Sequence, residues 1–111
     1  MSSTRLAKLL EFLESEPNDP FILYALATEY NTENNMEKAY AFYLKLTNEH
    51  PDYVGTYYHF GKLLEKDGDK EKAIEIYQKG MEIARGKRDM HAFSELQGAY
   101  NKAAGLDYED D

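Results

Sequence analysis

Residues 20–53 read PFILYALATEYNTENNMEKAYAFYLKLTNEHPDY, and residues 54–87 read VGTYYHFGKLLEKDGDKEKAIEIYQKGMEIARGK. Laid over one another without a gap, the two stretches put Tyr24 on Tyr58, Glu37 on Glu71 and Lys38 on Lys72. They also put Ala39 on Ala73, Tyr43 on Tyr77 and Lys45 on Lys79. Other positions keep size or apolarity: Leu26 with Phe60, Ala27 with Gly61, Tyr30 with Leu64, Phe42 with Ile76. Apolar residues recur every three or four positions and no segment alternates strictly, which is the periodicity of helices. The matches share faces of the same two helices, so the chain repeats a helical pair.

Working outward from that pair, the punctuation predicts six helices. Leu6, Leu9, Leu10, Phe12 and Leu13 make a first helix over about 4–15, broken by Pro17-Asn18-Asp19-Pro20. Asp19 caps a second helix, with Pro20 in its first turn, where a missing N–H costs nothing. That helix runs to about Thr32, and Asn35 caps a third ending near Glu49. Pro51-Asp52 is expected to start the fourth, and Gly68 to stop it. Asp69 caps a fifth, expected to end at Gly86; Asp89 caps a sixth, and Gly105 ends it. Loops this short make consecutive helices antiparallel neighbours.

The chain at this point resembles the tetratricopeptide repeat family. That family carries an aromatic, then Leu-Gly, then Tyr on the first helix, and Ala, an aromatic, then Pro on the second, with a 34-residue period. One full repeat supplies Leu23, Leu26-Ala27, Tyr30, Ala39, Tyr43 and Pro51. The next supplies Tyr57, Phe60-Gly61, Leu64, Ala73 and Tyr77, with Arg85 where Pro is expected. One period back, Pro17 stands at a closing Pro, although Arg5 occupies the small-residue place. Forward, Phe93, Leu96-Gln97 and Tyr100 repeat the first-helix spacing after two extra residues around Arg85–Asp89.

The fold expected is therefore all-α, an antiparallel helix-turn-helix repeat array forming a superhelix of about six helices. One domain over 1–106 is expected. It holds a half repeat at about 4–17, full repeats at about 20–53 and 54–87, and a capping helix at about 89–104. Residues 107–111 read as an acidic tail. Ala27, Gly61, Ala39 and Ala73 are small so that two helices can approach within about 8–10 Å. A single pair cannot bury its apolar face, so pairs stack and the end helices cap them.

The resemblance also implies a function: a non-enzymatic protein–protein interaction module or scaffold. In the family the first helix of each repeat lines a concave groove that takes a peptide or partner segment. By the repeat register, that face is Phe21, Tyr24, Thr28 and Asn31 in the first repeat. The second gives Gly55, Tyr58, Lys62 and Glu65, and the half repeat gives His91, Ser94, Gly98 and Asn101. Tyr24 and Tyr58, one period apart, are expected to form an aromatic ladder. Tyrosines offer large area at low entropy cost with a polar tip. One subgroup of the family clamps terminal carboxylates with Lys and Asn; the matching places here hold Tyr24, Thr28 and His59, so its ligand is not implied.

Charge and composition narrow the rest. The chain has 111 residues, 21 acids against 13 bases, a net charge of −8 and no Cys. An acidic surface argues against nucleic acid and anionic membrane as partners, and favours an apolar or basic segment over an acidic one. Zero Cys removes disulfides, thiolate zinc sites and thiol catalysis. No stretch approaches the ~20 apolar residues of a membrane span, and the N-terminus lacks the layout of a signal peptide, so a cytoplasmic protein is expected.

No catalytic or cofactor motif is legible. His50, His59 and His91 sit on different segments, and none has a second His at i+4. Asp67-Gly68-Asp69 with Glu71 has the start of a calcium loop but Lys72 and Gln78 where Gly and Glu are needed, so it reads as a turn plus a cap. The expectation is no enzyme, no metal and no cofactor, in a monomer or weak homodimer. The alternative function is a self-assembling structural protein that forms homo-oligomers through its end helices.

Overall fold

A computed structural model describes residues 4–106; residues 1–3 and the acidic tail at 107–111 lie outside the described residues. The described residues form six helices and no strand. They are α1 (Thr4–Ser15), α2 (Pro20–Thr32), α3 (Met36–Glu49), α4 (Gly55–Lys66), α5 (Lys70–Gly86) and α6 (Met90–Ala103). They fall into two compact units that divide between Tyr53 and Val54, the boundary at which the repeat begins again. In the first unit α2 packs on both α3 and α1. In the second, α5 packs on α4 and α6, and α4 also touches α6.

The helix starts follow from side-chain caps. Asp19 accepts from the Phe21 N–H at 2.9 Å, Asn35 from Lys38 at 3.3 Å, Asp69 from Lys72 at 3.2 Å and Asp89 from Ala92 at 3.1 Å. Each satisfies an amide that the first turn leaves without an intrahelical partner. The helix stops are left-handed residues: Asn34 at φ 63°, Gly68 at 89°, Arg88 at 59° and Gly105 at 75°. At each, the next residue's N–H bonds back across the last turn: Asn35 to Tyr30 O, Asp69 to Leu64 O, Asp89 to Ala84 O and Leu106 to Asn101 O. In three of the four turns that same residue is the cap of the following helix. One left-handed residue and one Asx cap thus reverse the chain, which is why the connections are so short.

One boundary differs from expectation. Pro51-Asp52 forms a turn, and α4 starts at Gly55 with Val54 as a cap that makes no side-chain bond. The turn is closed by the Tyr53 N–H on His50 O at 3.0 Å, which carries the chain past the proline before the helix begins. Gly86 is the last residue of α5, as expected, and the left-handed reversal follows two residues later at Arg88. Past its end the last carbonyls still find partners, Ile83 O accepting from Lys87 N and Arg85 O from Arg88 N.

The cores are built around tyrosines. Tyr43 is fully buried in the first unit with Leu23, Leu26, Ala27, Ala39 and Leu46. Tyr57 and Tyr77 are fully buried in the second with Phe60, Ala73 and Ala84. There, glycine and tyrosine interlock twice at the α4–α5 crossing. A Cβ on Gly61 would overlap the ring of Tyr77, and one on Gly80 would lie 2.5 Å from Tyr57 Cβ. Each helix offers a gap that the other fills with a ring. Arg5, at the small-residue place of the half repeat, is largely exposed and pairs with Glu29 at 3.2 Å. Because the side chain lies largely in solvent, its length is tolerated there.

Candidate functional site

The predicted site residues divide between the two units. On α2, Phe21 is 62% exposed, the most exposed large hydrophobic side chain among the described residues. Tyr24 is half-buried and packs on Tyr53, ring centroids 5.6 Å apart at 53°. Burial pushes the Tyr24 hydroxyl up from its ordinary pKa, with a smaller contribution from Tyr53, so it stays neutral and a donor. Thr28 turns its hydroxyl onto Ala25 O at 3.0 Å, which makes it a backbone brace rather than an outward contact. Asn31 is half-buried, with its side-chain oxygen enclosed and without a hydrogen-bond partner.

In the second unit, the structure brings α4 and α6 together around a trough. One cavity of about 320 Å³ is lined by Tyr58 and Lys62 of α4 and by Ser94, Glu95, Gly98 and Lys102 of α6. A second, of about 150 Å³, is lined by Gly55, Tyr58 and His59 with Asp89, Ala92 and Glu95. Lys62 Nζ stands 5.5 Å above the Tyr58 ring, which fixes the ammonium at the rim. His59 meets the same ring edge-on at 5.4 Å. Partial burial pushes the His59 pKa below its ordinary value, and the nearby Glu95 charge opposes that shift.

Two predicted residues have other work. Glu65 accepts the Tyr77 hydroxyl at 2.5 Å and so anchors the core. Burial, then that bond to Glu65, pushes the Tyr77 hydroxyl far up from its ordinary pKa. His91 is 85% exposed and meets Glu95 at 3.3 Å outside the trough lining.

Sequence reasoning named Ser94 and Gly98 on α6 but missed Glu95 and Lys102. The repeat register points to the row 91, 94, 98, 101. Leu96, Ala99 and Ala103 are the row buried against the preceding helices. Glu95 and Lys102 lie between those rows, seven residues apart and therefore on one face, so helical spacing alone holds the signal. Among the described residues no group of His, Asp and Glu is arranged to hold a metal ion, and no helix is long and apolar enough to cross a membrane.

A family profile described as tetratricopeptide repeat matches residues 22–53 and 54–87, and the chain belongs to that family. It is similar to a tetratricopeptide repeat domain protein from Salinibacter ruber. Its crystal structure aligns at 46% identity and TM-score 0.76, covering 80% of this chain and 99% of that one. A solution structure of a tetratricopeptide repeat domain protein from the same organism aligns at 44% identity and TM-score 0.77, covering 86% and 96%. A protein from Bordetella parapertussis shares the fold at 20% identity and TM-score 0.78, covering 94% of this chain and 90% of that one. No curated protein matches the chain. The family scaffold is in general a non-enzymatic protein-interaction module.

Proposed function

We propose that this chain holds a peptide or partner segment against the first helices of its repeats. In the first unit the surface is Phe21 with Tyr24, Thr28 and Asn31 at its sides; in the second it is Tyr58 and Lys62 facing α6, with Glu65 and His91 at the margins. The observation that carries this reading is the trough between α4 and α6, a concavity with an aromatic wall and charged rims. Such a site suits a side chain with an apolar body and a polar end. A surface this small supports affinities around the micromolar range, about −8 kcal/mol.

The test is affinity capture from the source cells with the wild-type chain, Tyr24→Ala, Tyr58→Ala and the double variant, each with its melting curve recorded. Partners retained by the wild type and lost from the double variant, with the fold intact, support the reading. An unchanged set of partners removes it. Self-assembly through the end helices is supported by Phe12 at 53% and Met90 at 60% exposure, on α1 and α6 respectively. Light scattering at tens of micromolar separates the two: a dimer that dissociates in Phe12→Glu favours assembly, and a monomer removes it.

A further inference from the structure

We propose that the trough between α4 and α6 selects a short segment carrying one acidic and one basic side chain, with apolar residues between them on the Tyr58 ring. This rests on the interaction-module reading and names the ligand chemistry of one of its surfaces. The two cavities share Tyr58 and Glu95, so they run into one another. The lysines line only the larger cavity, Asp89 lines only the smaller, and Glu95 lines both. Lys62 and Lys102 stand at one end, and neither has an ion-pair partner among the described residues. Asp89 stands at the other, and Glu95 lies where the two cavities meet. His59, also at that end, does not cancel them at neutral pH, because burial holds it toward its uncharged form. His91 contacts Glu95 from an exposed position, where such pairs exchange readily with other partners.

The middle of the trough is open because a Cβ on Gly98 would have nothing within 4 Å. Glu95 and Lys102 are seven residues apart on α6, roughly 10 Å along the helix at 1.5 Å per residue. An extended peptide covers that in about three residues at roughly 3.3 Å each. A segment with two acidic groups brings one of them to Glu95 and Asp89, and a segment with two basic groups brings one to the lysines. The trough therefore discriminates by the arrangement of charge rather than by its sum, although the net charge of the whole chain is −8.

Four N-acetylated, C-amidated hexapeptides test this by NMR titration of the full chain. They differ only at two positions separated by two apolar residues: Glu and Lys, two Glu, two Lys, or two Gln. The Glu/Lys peptide is expected to bind about tenfold tighter than either uniformly charged one. Its largest amide shifts are expected at Tyr58 and Gly98. Lys62→Glu with Lys102→Glu, both at exposed residues, is expected to move the preference to the two-Lys peptide. Equal affinities across the four, with shifts still in the trough, overturn the charge pattern and leave the interaction-module reading standing. Shifts outside the trough, or none with any peptide, overturn the trough as a peptide site. The capture experiment, which also reads Tyr24, decides the wider reading separately.

Discussion

Arg88 holds the left-handed conformation at φ 59°, where two of the other three reversals use Gly68 and Gly105. A Cβ there crowds the neighbouring carbonyl by about 1–2 kcal/mol, part of which glycine returns through the greater freedom of its unfolded chain. Arg88→Gly is therefore expected to stabilise the chain by about 0.5–1 kcal/mol, read as a later midpoint in urea. Gly68→Ala is expected to lose about 1 kcal/mol, all of it backbone strain, since nothing lies within 4 Å of the added methyl. Tyr77 links stability to pH. Its hydroxyl is pushed up by burial and by Glu65, so the folded state keeps a proton that the unfolded state releases near the ordinary value of 10.0. The stabilisation is complete below pH 10 and is lost as pH rises above it. Tyr77→Phe removes that titration, so its urea midpoint is expected to fall less steeply between about pH 10 and 11 than that of the wild type. Parallel curves for the two proteins would show that Tyr77 does not carry the effect. At neutral pH the same variant leaves Glu65 without its donor and is expected to lose about 1–2 kcal/mol.

At the scale of the helices, the α4–α5 crossing is decided by volume. Gly61 and Gly80 each receive a tyrosine from the opposite helix, and Ala73, one turn before Tyr77 on α5, is fully buried. Ala73→Leu is expected to overpack its surroundings and to cost about 1–3 kcal/mol in chemical denaturation. Gly61→Ala belongs to the same class, because its methyl would meet the ring of Tyr77 rather than a flexible side-chain end. An unchanged midpoint for both variants would contradict this packing. Ala27, Gly61, Ala39 and Ala73 are legible as close-approach residues because a small residue recurring at a fixed period on an apolar helix face marks the place where two helices meet. Gly80 is not, since Leu46 occupies the matching place one period earlier and breaks the pattern. The start of α4 escapes the sequence for a related reason: proline opens many helices, but here His50 and Tyr53 close a turn around it first.

At the scale of the whole molecule, a net charge of −8 on 111 residues imposes self-repulsion that no single pair relieves. Raising the ionic strength from about 20 mM to about 200 mM shortens the screening length from roughly 20 Å to below 10 Å. The melting midpoint is expected to rise over that range, and a midpoint that falls would show that favourable pairs such as Arg5 with Glu29 outweigh the repulsion. The same screening is expected to weaken any ligand held by Lys62 and Lys102, so stability and binding should respond to salt in opposite directions.

The sequence by itself determined the helices, their 34-residue recurrence and the family, because periodicity, caps and small-residue spacing are local properties of the chain. It also singled out Tyr24, Tyr58 and Lys62 as members of the first-helix faces. Only the tertiary structure decided what those faces contain. Glu65 is held by Tyr77, Thr28 by its own backbone, and Glu95 and Lys102 enter a trough that the repeat register passes by one row. The reason is geometric: a repeat register locates a residue on its own helix, whereas a cavity is lined by whichever neighbouring rows two packed helices turn toward each other.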